Sequence, residues 1–257
     1  PGYMEEISNY MSGLEDLLKT EREKCVGILN GIDTEVWNPE TDPMLDFNYG
    51  LENADEGKQL AKEKLCNQFN LDPEKPLFAF IGRLVKEKGA DILPDVIYNA
   101  LTKFEGKLNV LILGSGEHFI EQGLLDLEGQ FRGNYSSFIG YNEKLSHEIY
   151  AGADFLLMPS RVEPCGLNQL YALRYGTVPI VRRTGGLNDT VIDIGDGGFG
   201  FCHVHCSTAD VLQSIKRALK FYDLKQKFPK NRKLMMQIDH SWNKAASEYV
   251  ELYKSMK

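Results

Sequence analysis

The chain has 257 residues, 42% hydrophobic, 26% charged and 11% aromatic, an ordinary globular composition that excludes disordered and collagen-like classes. Its 37 acidic residues outnumber 29 basic ones for a formal net charge of -8, so it lacks the basic field of a non-specific nucleic-acid binder. No apolar run approaches the roughly 20 residues of a spanning helix, no secretory leader is visible, and five scattered cysteines do not resemble a disulfide framework, so a cytoplasmic protein with reduced thiols and no membrane partner is expected.

The chain opens on Pro1 rather than Met, from which a piece of a longer protein is expected. Residues 46–75 are polar, with a helical stretch at about 59–69, and read as a surface lead-in. From Pro76 onward, runs rich in Val, Ile, Leu and Phe alternate with segments of helical period, the pattern of βαβ units in a parallel sheet. The predicted strands are 77–81, 109–113, 136–139, 154–158, 178–181 and 200–204. Ile92, Leu93, Val96, Ile97, Ala100, Leu101 and Phe104 form one apolar stripe on the helix predicted to begin near Ala90. At the C-terminal end, Ser241 is a predicted N-cap, and Trp242, Ala245, Ala246, Tyr249, Tyr253 and Met256 share a face that needs a partner.

Ligands of open parallel sheets bind outside the carboxyl ends of the strands, so the loops leaving each strand carry the functional signal. After the first strand, Arg83 and Lys88 lie in a basic loop that ends at a predicted helix N-terminus, a receptor for diphosphate that also fits a solvated charge run. After the second, Gly114-Ser115-Gly116 begins a dinucleotide fingerprint that Phe119 breaks, and it stands after the wrong strand for a nicotinamide enzyme. Gly140-Tyr141-Asn142 follows the third. After the fourth, Pro164 and Gly166 shape a turn in which Glu163 and the N–H groups of Cys165, Gly166 and Leu167 can converge on a phosphorylated sugar. After the fifth, Gly185 and Gly186 permit close backbone approach. Strand alternation in 202–206 sends Cys202 and Cys206 to one face and His203 and His205 to the other, which argues against a zinc site.

Taken in order, Asn30-Gly31-Ile32-Asp33 with Trp37-Asn38-Pro39, Gly82-Arg83-Leu84 with Lys88-Gly89, Gly140-Tyr141, Pro159-Ser160-Arg161 with Glu163-Pro164-Cys165-Gly166-Leu167, and Arg182-Arg183-Thr184-Gly185-Gly186-Leu187 resemble the C-terminal half of the bacterial glycogen synthase and plant starch synthase family. The resemblance covers nearly the whole chain. It implies a Rossmann-like α/β domain of a GT-B fold over residues 25–240, with 1–24 as the end of an N-terminal acceptor domain and 241–257 as a crossover helix. It further implies a retaining glucosyltransferase acting on ADP-glucose and an α-1,4-glucan without a metal or other cofactor; no Asp-x-Asp sequence occurs.

By that resemblance Arg83 and Lys88 hold the diphosphate, Tyr141 stacks on adenine, and Glu163 binds the transferred glucose. Backbone groups at Cys165, Gly166 and Leu167 and at Thr184, Gly185 and Gly186 complete the donor pocket. Many related retaining transferases carry a ribose-binding Glu where this chain has Tyr171, which agrees with the glycogen and starch synthase branch. Asn168 departs from the Thr of enterobacterial enzymes. No residue offers itself as a nucleophile, so a front-face route is expected, in which cationic groups stabilise charge growing on the leaving phosphate. A GT-B enzyme using a UDP-sugar and a non-catalytic nucleotide-binding module stand as alternatives.

Overall fold

A computed structural model describes residues 1–9, 13 and 15–256. The apolar runs form six strands, β1 (Leu77–Ile81), β2 (Asn109–Gly114), β3 (Tyr135–Ile139), β4 (Phe155–Met158), β5 (Val178–Arg182) and β6 (Phe201–His203). They pair in parallel in the order β3-β2-β1-β4-β5-β6, the expected doubly wound α/β sheet. Leu77 aligns with Asn109 of β2, and Phe78 with Phe155 of β4. The strand order reverses at β1, which opens a crevice at the carboxyl ends.

The helices are α1 (Gly2–Asn9), α2 (Glu15–Thr20), α3 (Ala54–Gln68), α4 (Leu93–Lys103), α5 (His118–Glu128), α6 (Glu143–Gly152), α7 (Asn168–Arg174), α8 (Gly185–Thr190), α9 (Thr208–Tyr222), α10 (Lys227–Met236) and α11 (Trp242–Ser255). Contacts of α4 with α5 and α9, and of α3 with α6 and α10, define the two layers that cover the sheet. Covered on both faces, the strands carry continuous rather than alternating hydrophobicity, and every residue of β2 is buried. No helix among the described residues is long and apolar enough to cross a membrane.

Two expectations change in detail. The helix expected from Ala90 begins as a tight 3-10 turn at Ala90–Ile92, and α4 starts at Leu93. Pro94 accounts for this, because a residue without an N–H fits only the first turn of an α-helix. The basic loop therefore runs through a second 3-10 turn, Lys86–Lys88, and left-handed Gly89 (φ 68°) rather than straight into an α-helix.

The stretch expected to be a polar surface lead-in forms α3, which starts at Ala54 and buries Lys58 and Lys62. The Lys58 amino group donates to the carbonyls of Tyr150 and Ala151 at the end of α6, to that of Tyr175 just after α7, and to Thr177 Oγ1, at 2.8–3.1 Å. The amino group thus meets the carbonyl ends of two helices, and burial lowers its pKa well below the ordinary lysine value. Lys62 pairs with Asp154 at 2.8 Å, and the other oxygen of Asp154 faces Arg232.

The C-terminal helix forms as expected, with Ser241 Oγ accepting from the N–H of Lys244. Its base is tied to Ile32, whose N–H donates to the His240 carbonyl at 2.8 Å. Of its described residues only Ala245 is buried, and Trp242, Tyr253 and Met256 stand exposed. Residue 257, the end of the expected crossover segment, lies outside the described residues, as do 10–12 and 14 of the expected 1–24 segment.

Candidate active site at the carboxyl ends of the strands

Two adjoining cavities, of about 350 and 180 Å³, occupy the crevice where the strand order reverses. Both are lined by Ile81, Gly82 and Asn168, and Asn168 Nδ2 donates to the Ile81 carbonyl at 2.7 Å, a clasp between the two compartments. The larger cavity is walled by Arg83, Tyr141, Trp37 and Tyr171, and the smaller one by Lys88, Ser160, Glu163 and Leu167.

In the smaller compartment Lys88 Nζ donates to both oxygens of Glu163, at 2.8 and 2.7 Å, and Ser160 Oγ donates to one of them at 3.1 Å. The Glu163 side chain is 8% exposed and that of Lys88 26%, so the pair is largely withdrawn from water. In the larger compartment Arg83 is 67% exposed and only loosely engaged, with Glu87 3.5 Å away. Tyr141 is 84% exposed at the mouth, an open aromatic face that no neighbour covers.

The floor of the larger compartment is a triple stack. Trp37 lies 3.7 Å from Tyr171 on one face and 4.0 Å from His147 on the other, with rings tilted by 18° and 15°. Below it, buried Asp42 takes hydrogen bonds from His147 Nδ1 at 2.7 Å and Tyr175 Oη at 2.5 Å. Burial alone would raise the Asp42 carboxyl, but these bonds hold it below its ordinary range.

The remaining expected site residues stand behind the cleft. Neither Cys165 nor Gly166 lines either cavity; Gly166 is left-handed (φ 73°), and buried Gln169 rivets the turn by donating to the Cys165 and Gly166 carbonyls at 3.0 and 3.1 Å. Burial pushes the Cys165 thiol up from its ordinary value, away from thiolate chemistry. Thr184, Gly185 and Gly186 likewise line neither cavity. Side chains at the two glycines would place a Cβ 2.1 Å from the Glu163 carbonyl oxygen and 2.2 Å from that of Cys165, so their backbone buttresses the glutamate turn. The Thr184 hydroxyl and the Gly185 N–H are instead engaged by the Glu6 carboxylate of α1, at 2.8 Å each.

Several supports depend on partners that the sequence does not reveal. Arg161 forms a bidentate pair with Asp91 at 2.5 and 2.9 Å, and its N–H donates to the Glu87 carbonyl, which fixes the basic loop against the glutamate loop. The broken glycine fingerprint also has a packing cause: a Cβ on Gly114 would lie 2.0 Å from the Gly82 carbonyl oxygen, and one on Gly116 2.3 Å from that of Leu84. In the 202–206 segment, Cys202 Sγ faces the Val191 carbonyl at 3.4 Å and His203 Nδ1 faces that of His205 at 2.9 Å.

Residues 61–235 match the family described as Glycosyl transferases group 1. The chain is 56% identical over 98% of its length to a glycogen synthase of Flavobacterium johnsoniae and 42% identical over its whole length to one of Thermodesulfovibrio yellowstonii, covering 54% and 51% of those proteins. It thus spans about half the length of the curated relatives it matches. Among solved structures, the catalytic domain of starch synthase IV from Arabidopsis thaliana bound to ADP and acarbose superposes with a TM-score of 0.91 at 35% identity, over 99% of this chain and 54% of that one.

Proposed function

Because the chain belongs to the glycosyl transferases group 1 family and matches glycogen synthases along nearly its whole length, we propose that it is the donor-binding half of a glycogen or starch synthase. Its substrate is ADP-glucose, and the glucosyl group passes with retention to the end of an α-1,4-glucan held by the other half of the enzyme. Residues 25–240 form the donor domain in this reading, in a cytoplasmic enzyme that needs no metal.

The Lys88–Glu163 pair beside an open aromatic face supports this reading most directly. Adenine stacks on Tyr141, and Tyr171, flat on Trp37, floors the ribose end where a carboxylate would otherwise stand. The diphosphate spans the Asn168 clasp, reaching Arg83 on one side and Lys88 on the other. Glucose then lies over Glu163, whose carboxylate accepts from the sugar hydroxyls once the phosphate draws on Lys88. As the bond to the anomeric carbon loosens, charge grows on the leaving phosphate, and both cations stabilise it more in the transition state than before. The leaving phosphate deprotonates the incoming hydroxyl on the same face, which gives retention without an enzyme nucleophile.

The full-length enzyme is expected to incorporate glucose from ADP-glucose into glycogen, whereas this chain alone, with no acceptor held in line, is not. No incorporation by the full-length enzyme, or sustained incorporation by this chain alone, contradicts the proposal.

A further inference from the structure

We infer that Glu6 is a positioning residue for Glu163, acting through the Thr184–Gly186 turn; this rests on the reading of Glu163 as the group that faces the donor sugar. The Glu6 carboxylate takes the Thr184 hydroxyl at 2.8 and 3.0 Å and the Gly185 N–H at 2.8 Å. Thr184 is 1% exposed, so water cannot easily replace Glu6 as acceptor for its hydroxyl. A second tether, from the Gly2 N–H to Asp189 Oδ2 at 2.7 Å, fixes α1 along α8.

From this turn the contact continues to the cleft with little slack. The Gly186 N–H donates to the Glu163 carbonyl at 3.0 Å. Gly185, left-handed at φ 42°, lies so close to that oxygen that a Cβ would sit 2.1 Å from it. Glu163 is thus held from behind by the turn and from in front by Lys88 and Ser160. Without the Glu6 acceptor, the Thr184 hydroxyl keeps only the Arg161 carbonyl, 3.4 Å away, and the Gly185 N–H loses its acceptor, so the turn relaxes toward other acceptors. A shift of order 1 Å in a substrate-facing group is enough to cost about a hundredfold in rate.

Because one carboxylate oxygen, Oε1, accepts both bonds, the carbonyl oxygen of a glutamine can take over the role. In the full-length enzyme, Glu6→Ala is expected to lower kcat tenfold or more while KM for ADP-glucose and Kd for ADP stay within about twofold, and Glu6→Gln is expected to restore most of kcat. Thr184→Val, which removes one of the two donors, should lower kcat to an intermediate level and serves if Glu6→Ala does not fold. A normal kcat in Glu6→Ala, or in Thr184→Val where Glu6→Ala does not fold, overturns the inference; so does a loss that Glu6→Gln fails to recover. Glu163→Gln run in parallel separates the two levels: if it leaves turnover intact, the reading of Glu163 itself is wrong, whatever Glu6 does.

Discussion

The ammonium of Lys88 lies 2.7–2.8 Å from both carboxylate oxygens of Glu163 in the smaller compartment of the cleft, across 75 residues of sequence. One residue comes from the loop after β1 and the other from the loop after β4, the two strands that flank the point where the strand order reverses.

In the proposed reading the pair divides binding from turnover. Glu163→Gln should keep ADP affinity within a few-fold and reduce turnover on the order of a hundredfold, because in that reading the altered group faces the sugar. Lys88→Ala should weaken ADP itself and also destabilise the fold by about 1–3 kcal/mol, since it leaves a nearly buried carboxylate without its cation. Titration with ADP alongside a denaturant midpoint checks both; unchanged ADP affinity in Lys88→Ala would exchange the assignments.

Tyr141 has almost nothing to lose structurally. Tyr141→Ala is expected to weaken ADP by roughly tenfold, in keeping with about 1–3 kcal/mol per stacked base, while the melting temperature stays within a degree or so. A variant that binds ADP as tightly as the parent removes Tyr141 from the base site.

Lys58 tests the opposite case, a buried amino group with a purely structural role. Lys58→Met removes the donor of the buried Ala151 carbonyl, while the Tyr150 and Tyr175 carbonyls keep the Thr177 and Tyr49 hydroxyls, so thermal unfolding should show a loss of about 1–3 kcal/mol. A stability equal to the parent's would mean that the helix ends find other donors.

Acid should weaken the fold in two windows. Burial holds His203 and His240 below their ordinary value of 6.5, so the unfolded chain binds their protons more readily and stability is lost as pH falls from 6.5 through the folded-state values. Asp193, despite burial, is held below 3.8 by Arg217 and by the N–H groups of Cys202 and Gly195, and Asp42 is held below it by His147 and Tyr175. Their contribution is complete above 3.8 and disappears as pH falls through the lower folded-state values. Urea midpoints across pH 2.5–7.5 should fall in both windows, and Asp193→Asn should flatten the lower one; a parent-like acid slope in that variant counts against the assignment.

The sheet was legible because buried parallel strands must be continuously apolar, and the runs at 77–81 and 109–113 meet that demand without ambiguity. The loops that form the cleft were legible because their charged and glycine residues stand next to strand ends. What the residues concealed depends on distant partners. Lys58 and Lys62 look like surface residues until the ends of α6 and α7 and Asp154 are seen to receive them. The Thr184–Gly186 turn looks like a ligand contact until Glu6, 178 residues away, is found in its donors. Gly114 and Gly116 resemble a cofactor motif, yet the space they leave is filled by the neighbouring loop.

The central claim, that this cleft receives an adenine nucleotide-sugar, is tested most directly by calorimetric titration of the chain with ADP and with UDP under one set of conditions. ADP is expected to bind measurably, more tightly than UDP, and to lose affinity in both Arg83→Ala and Lys88→Ala. Tighter binding of UDP, or ADP binding that both substitutions leave intact, would contradict it.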